Sequence, residues 1–240
     1  MRDAFRIGFP VFPDLTPLDF AGPWEVLTRL PGSACMIVAH DRAPVRAANG
    51  MTIMPTTTLS DCPPLDMVCV PGGPGHLAMM ENEPLLAFLR AQAPGCRYVT
   101  AVCTGTLVLA AAGLLGGVKA TTHWMSFERL AAFGAIPTKG RVVRDGRFIT
   151  GGGVTAGIDF ALEVATIIAG AELAKAIQLQ IEYAPEPPYP GSPDRADPAV
   201  VAAQRERMAA YRGRMAEVDA RVAERLAESA DGRQAHAGAA

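Results

Sequence analysis

Residues Tyr98 to Gly117 read YVTAVCTGTLVLAAAGLLGG, and no other stretch constrains the fold as strongly. Four residues suited to a strand, Tyr98 to Ala101, run without a loop into an Ala/Leu-rich helix that stops at Gly116 and Gly117. Such a junction forces a tight strand-to-helix turn, the mechanical principle of a nucleophile elbow. Cys103 occupies the changeover, in Val-Cys-Thr-Gly, where a side chain points out over the sheet. Unpaired N–H groups of the first helical turn face it there, and the helix dipole favours thiolate over thiol. A cysteine so placed is expected to titrate at about 3.5–7.5. The competing role for any cysteine is a small buried hydrophobe. The elbow, with Gly105 leaving the approach uncrowded, makes Cys103 the candidate nucleophile.

The rest of the chain repeats the strand-then-helix theme. Phe5 to Phe12 reads as a buried first strand, PWEVLTRL as a helix, and Ala34 to Ala39 as a second strand. Thr52 to Met54 and Thr56 to Leu59 read as a short exposed hairpin or crossover. Leu65 to Val70 is a continuous apolar run of the kind buried on both faces of a parallel sheet. Glu83 to Gln92, Trp124 to Phe133, Ile158 to Ala169 and Ala171 to Glu182 are helical, and Lys119 to Thr122 is a short strand. Asp145-Gly146 between Arg141–Arg144 and Arg147–Thr150 is a hairpin signal. Alternating strands and helices predict an α/β layered domain with a mostly parallel sheet over residues 1–195. After the proline-rich link APEPPYPGSP comes a different sequence. Asp197-Pro198 opens a helix, and Val201, Met208, Tyr211, Met215, Val218, Val222 and Leu226 then form one apolar stripe. Over 196–230 this predicts one long amphipathic helix, packed on its own domain or across a second subunit, with a disordered tail at 231–240.

Composition removes several classes of function. With a net charge of −2 and no Lys/Arg block, the chain has no electrostatic reason to bind nucleic acid. Its most apolar window, Leu107 to Val118, is broken by glycine and too short to span a bilayer. Five cysteines without paired spacing fit a reducing cytoplasm better than a disulfide framework. No His/Cys/Asp/Glu cluster has metal-ligand spacing, and neither dinucleotide nor P-loop fingerprint is present.

Ligands of open α/β sheets bind at the carboxyl ends of the strands. Gly72-Gly73, Cys103-Thr104 and Gly151 to Val154 all mark such ends, and the loop bearing Asp19 reaches the same edge. Gly73 and the first amides after Cys103 are candidates for an anion cradle, with a plain tight turn as the alternative for Gly72 and Gly73. Gly152 and Gly153 serve either the site or close helix–sheet packing. Asp19 either caps the helix it begins or lies desolvated against Cys103, where burial would raise its pKa enough for acid–base work. The Thr104 hydroxyl either orients a water or caps the helix. His123 ends a strand and is open to a structural role or to an approach to the site.

Five blocks, FPDLTPLDFAGPWEVL, CVPGGPG, AVCTGTLVLAAAGLL, ATTHW and TGGGVTAGIDFAL, together resemble the ThiJ/PfpI superfamily and, within it, its isocyanide hydratase branch. The resemblance implies a flavodoxin-like three-layer sandwich, a homodimer with the site near its interface, and no cofactor. It implies hydration of an isocyanide to an N-substituted formamide, with Cys103 as nucleophile, Asp19 as general acid and base, and Thr104 in support. Backbone amides of Gly73, Thr104 and Val154 would face the sulfur, with Gly72, Gly152, Gly153 and His123 behind them. Thr104 stands where peptidase relatives carry His, and Asp19 where glyoxalase- and deglycase-like relatives usually carry Glu. A glyoxalase-like enzyme of methylglyoxal-type aldehydes and a redox-sensing protein are the alternative readings.

Overall fold

A computed structural model describes residues 4–237, with side chains to residue 229. In chain order the elements are β1 (Phe5–Pro10), α1 (Pro17–Leu27), β2 (Ser33–Ala39), β3 (Val45–Arg46), β4 (Thr52–Ile53), β5 (Thr57–Thr58), β6 (Met67–Val70), α2 (His76–Met79) and α3 (Glu83–Gln92). There follow β7 (Tyr98–Val102), α4 (Gly105–Ala111), β8 (Lys119–Ala120), a 3₁₀ helix (Trp124–Phe133), β9 (Ile136–Pro137), β10 (Val142–Asp145) and β11 (Phe148–Gly151). The chain closes with α5 (Ala156–Ala169), α6 (Ala171–Gln180), α7 (Pro198–Arg207) and α8 (Ala209–Ala237).

The main sheet has the order β10-β11-β7-β6-β1-β2-β5. Every neighbouring pair in it is parallel except the β10–β11 hairpin. Its central strands are apolar on both faces because helices cover both. All of β6 is buried, as is β7 after Tyr98. One core lies under α3, α4 and part of α8, and the other under α1, α5 and α6. This is the three-layer sandwich expected.

Helix α1 begins at Pro17, earlier than predicted, because proline suits the first helical turn. It lies closely against α5 where two glycines meet. A Cβ on Gly157 would stand 3.1 Å from Pro23 Cδ, and one on Gly22 would stand 3.2 Å from Ile158 Cγ1. Of the hairpin or crossover expected over Thr52 to Met54 and Thr56 to Leu59, the hairpin does not form. Thr52–Ile53 pairs antiparallel with Val45–Arg46, and Thr57–Thr58 extends the main sheet alongside β2. The first of these strands thus pairs with the strand just before it, and the second joins the edge of the main sheet.

The long C-terminal helix is two helices. Met208 breaks the register at φ −90° and ψ 2°, ending α7. Helix α8 packs on its own domain through buried Met215, Val218 and Val222, whereas α7 buries no residue. Of the tail expected to be disordered, the helical backbone continues through Ala237, and 238–240 lie outside the described residues.

Candidate active site

The elbow is present, and its geometry is strained. Cys103 follows β7 with φ 57°, a left-handed conformation that costs a non-glycine residue about 1–3 kcal/mol. Its surroundings hold it there. The Cys103 N–H donates to the carbonyls of Gly151 and Gly152, both at 3.0 Å, and its carbonyl accepts the Thr122 hydroxyl at 2.7 Å. Gly105 is obligatory, because a Cβ there would overlap the Val70 carbonyl.

Asp19 comes from the first turn of α1 and points inward, fully buried. It is not the helix cap; Thr16 occupies that position. Its Oδ2 accepts the Gly72 N–H at 3.0 Å, while Oδ1 lacks a hydrogen-bond partner of ordinary geometry. The Cys103 thiol is the side chain against this carboxyl. Burial pushes the Asp19 pKa up to about 7, against the opposing pull of its contacts with Cys103 and the Gly72 amide.

The sulfur departs from expectation. Burial first, and the charge of Asp19 second, push the Cys103 pKa up, outweighing the amides of Thr104 and Val154 that favour the thiolate. A helix of seven residues projects too little dipole to offset the loss of water. Cys103 and Asp19 are therefore a coupled pair in which the carboxyl ionises before the thiol, so the remaining proton is held chiefly on sulfur.

Gly73 also differs from its expected role. Its N–H donates to Thr104 Oγ1 at 2.9 Å, so that amide is engaged with the hydroxyl, not with the sulfur. The same hydroxyl hydrogen-bonds the Gly73 carbonyl at 3.3 Å, so Thr104 clamps the glycine loop to the elbow. Gly73 has φ 131°, and a Cβ there would collide with the Thr16 amide. Neither Gly72 nor Gly73 is a plain turn. A Cβ on Gly72 would stand 2.5 Å from the Thr104 amide and 2.9 Å from Asp19 Oδ2.

Gly152 supplies one of the carbonyls that hold Cys103, and its own N–H donates to the Arg141 carbonyl at 2.9 Å. The bare Cα of Gly153 makes room for the His123 ring, since a Cβ would lie 2.9 Å from His123 Cδ2. His123 caps the 3₁₀ helix by accepting the Met125 N–H at 3.4 Å, and it also lines the site. Burial lowers its pKa, so it is neutral there.

Several residues at the site escaped sequence reasoning. A cavity of about 150 Å³ opens over Cys103 and Thr104, with Val154, His123 and the C-terminal Met208, Tyr211 and Met215 in its walls. Behind it, His76 Nδ1 lies 2.8 Å from the Gly73 carbonyl and Nε2 lies 2.8 Å from Arg129 Nη1. Arginine only donates, so Nε2 accepts and the proton is on Nδ1. Burial and the neighbouring guanidinium push His76 down to about 3, which keeps it neutral. Arg129 in turn forms a two-pronged ion pair with Asp219 of α8, both contacts at 2.7 Å. The only cue in the sequence was His76 directly after the glycine loop. Among the described residues no group of three or more His, Cys, Asp or Glu could hold a metal ion.

Residues 5–167 match the profile of the DJ-1/PfpI family. The chain belongs to that family. Among DJ-1/PfpI relatives, the isonitrile hydratase of Pseudomonas putida is 54% identical over 207 residues, 86% of this chain and 91% of that protein. Protein DJ-1alpha of Drosophila melanogaster is 30% identical over 69% of this chain and 78% of its own length. A ThiJ/PfpI family protein from Pseudomonas syringae, known by its crystal structure, superposes with a TM-score of 0.87. It is 41% identical and covers 92% of this chain and 90% of its own.

Proposed function

We propose that this DJ-1/PfpI protein is an isonitrile hydratase, converting an isocyanide and water to an N-substituted formamide. The observation that carries the reading is a buried carboxyl titrating near neutrality against the elbow cysteine, in a chain 54% identical to an isonitrile hydratase. The terminal carbon of an isocyanide is soft and electrophilic, and it needs a proton as a thiolate adds to it. In the singly ionised Cys103–Asp19 pair, moving the one remaining proton from sulfur to the carboxylate as substrate binds supplies both.

In the first step Cys103 Sγ bonds to the isocyanide carbon and the Asp19 proton goes to that carbon. This gives a thioimidate and an Asp19 carboxylate. In the second, Asp19 takes a proton from water as the water oxygen attacks the same carbon. Collapse of the adduct breaks the carbon–sulfur bond and transfers the remaining water proton to nitrogen. Formamide leaves, with the thiolate and the carboxylic acid restored. The Thr104 and Val154 amides hold charge on sulfur, and Thr104 fixes the loop that binds Asp19. Acid–base assistance of this kind is worth about 10²–10⁴ in rate.

Loss of cyclohexyl or para-substituted phenyl isocyanide on adding the protein, with the formamide identified by mass spectrometry, tests the reading. Cys103→Ala should abolish turnover, and Asp19→Asn should lower kcat/KM by about 10²–10⁴. Turnover of methylglyoxal in place of isocyanides would favour the glyoxalase-like alternative. Formation of Cys103 sulfinic acid under mild peroxide, without turnover, would favour redox sensing.

The reading includes a homodimer and a reducing cytoplasm. Exposed Leu18 of α1 and Met51 beside it support the first, and five unpaired cysteines support the second. Among the described residues no helix is long and apolar enough to cross a membrane.

A further inference from the structure

We propose that the C-terminal helix pair sets the substrate's size limit: Met208, Tyr211 and Met215 restrict the Cys103 pocket to compact apolar isocyanides of about one six-membered ring. The proposal rests on the isonitrile hydratase reading for the reacting group, and on the cavity alone for the size limit.

Three observations carry it. The first is volume. The cavity over Cys103 is open to the surface and measures about 150 Å³, and a closed apolar protein cavity of about that size accepts benzene. The second is the origin of the walls. The nucleophile, its acid–base partner and the glycine loops all lie within residues 5–167, the segment that the DJ-1/PfpI profile matches. Met208, Tyr211 and Met215 come from some forty residues further on. The chemistry thus lies within the matched segment, while one wall of the pocket is added by a later part of the chain.

The third is rigidity. A wall discriminates by size only if it cannot yield, and this one is tied down on several sides. The Tyr211 hydroxyl donates to the Pro74 carbonyl at 2.8 Å, beside the glycine loop. Asp219, one helical turn beyond Met215, is gripped by Arg129, whose Nη1 also lies 3.3 Å from Met215 Sδ. Further along, Arg225 donates to the Met80 and Ala111 carbonyls, both at 3.0 Å. Met208 belongs to the same wall because the break between α7 and α8 falls on it and turns its side chain inward. Unbranched thioethers suit such a surface: they fill irregular apolar space and offer a substrate no hydrogen bond.

The test compares a compact with a bulky probe in the full-length protein. One arm measures kcat/KM for cyclohexyl and 2-naphthyl isocyanide. The other measures the rate at which Cys103 is alkylated by iodoacetamide and by its N-naphthyl derivative, resolved at the Cys103 peptide by mass spectrometry. The wild type should prefer the compact probe by about tenfold or more in both arms. In Met208→Ala and Met215→Ala that ratio should fall by about fivefold or more, and Met208→Leu should keep most of it. Met208 is only half-buried, so its alanine variant folds even if that of the buried Met215 does not. A wild type that accepts both probes equally, or a folded Met208→Ala with the wild-type ratio in the alkylation arm, would overturn the proposal. If no isocyanide is consumed, the reaction assignment falls, while the alkylation ratio still decides the wall.

Discussion

One buried carboxyl dominates the residue scale, because its ionisation controls both activity and stability. The reactive form proposed here is the monoanion of the Asp19–Cys103 pair, so kcat/KM should rise with pH through about 7 and then level off. Asp19→Asn should lose that limb of the profile; an unchanged profile would remove Asp19 from proton transfer. Stability should run the other way. A carboxyl raised by folding binds its proton more tightly in the native than in the unfolded state. Stability therefore declines as pH climbs from about 4 to 7 and is level above. A shift from an ordinary value of ~3.9 to about 7 corresponds to roughly 4 kcal/mol at its largest. Asp19→Asn should consequently be more stable than wild type at pH 8, by up to a few kcal/mol, and equal to it near pH 4. Urea denaturation at the two pH values measures the difference. Thr104 gives a second case. Thr104→Val keeps the shape but strands the buried Gly73 N–H, at a cost of about 1–3 kcal/mol, and should slow turnover by loosening the loop that holds Asp19. Thr104→Ser should restore most of both.

At the scale of elements, the contact that matters most joins α8 to the site. Arg129 and Asp219 are 11% and 16% exposed, so removing the acid leaves a largely buried guanidinium without its partner. Asp219→Ala should cost about 3 kcal/mol, lowering Tm by roughly 6–12 °C, and should widen the substrate range as the helix loosens. A wild-type Tm in that variant would mean that the ion pair does not dock α8. Nothing in the sequence pairs Arg129 with Asp219, ninety residues apart. What could be read was local or periodic: the elbow from its missing loop, β6 from an unbroken apolar run, and the Asp145-Gly146 hairpin from its turn residues. Asp19 was legible as a candidate because a carboxylate flanked by apolar residues is conspicuous. Two things were not legible. The Cys103 pKa depends on how much water the whole fold removes, which no helix-terminus argument contains. The wall of the pocket depends on where a helix with an ordinary apolar stripe comes to rest, and that stripe looks the same against any surface.

The whole molecule adds one consequence, because the pocket has an open neighbour. Beside it lies a groove of about 510 Å³ lined by Pro17, Leu18, Ala21, Ala48 and Met51, and the two share Thr16 and Pro74. Leu18 and Met51 are 38% and 51% exposed along this side, on a chain whose other large apolar side chains are mostly enclosed. Leu18 directly precedes Asp19 on α1, so whatever covers this face also braces the helix that carries the carboxyl. In the homodimer proposed here a second copy covers it, through a self-complementary contact about a twofold axis. Light scattering should then give a mass near twice 25.2 kDa. Met51→Glu, which places a charge on the exposed apolar face, should shift the protein toward monomer at micromolar concentration. Because α1 would lose its brace, turnover should fall with dimer content and recover as protein concentration is raised. A fully dimeric Met51→Glu would move the interface elsewhere on the surface, and monomeric but fully active protein would separate assembly from catalysis.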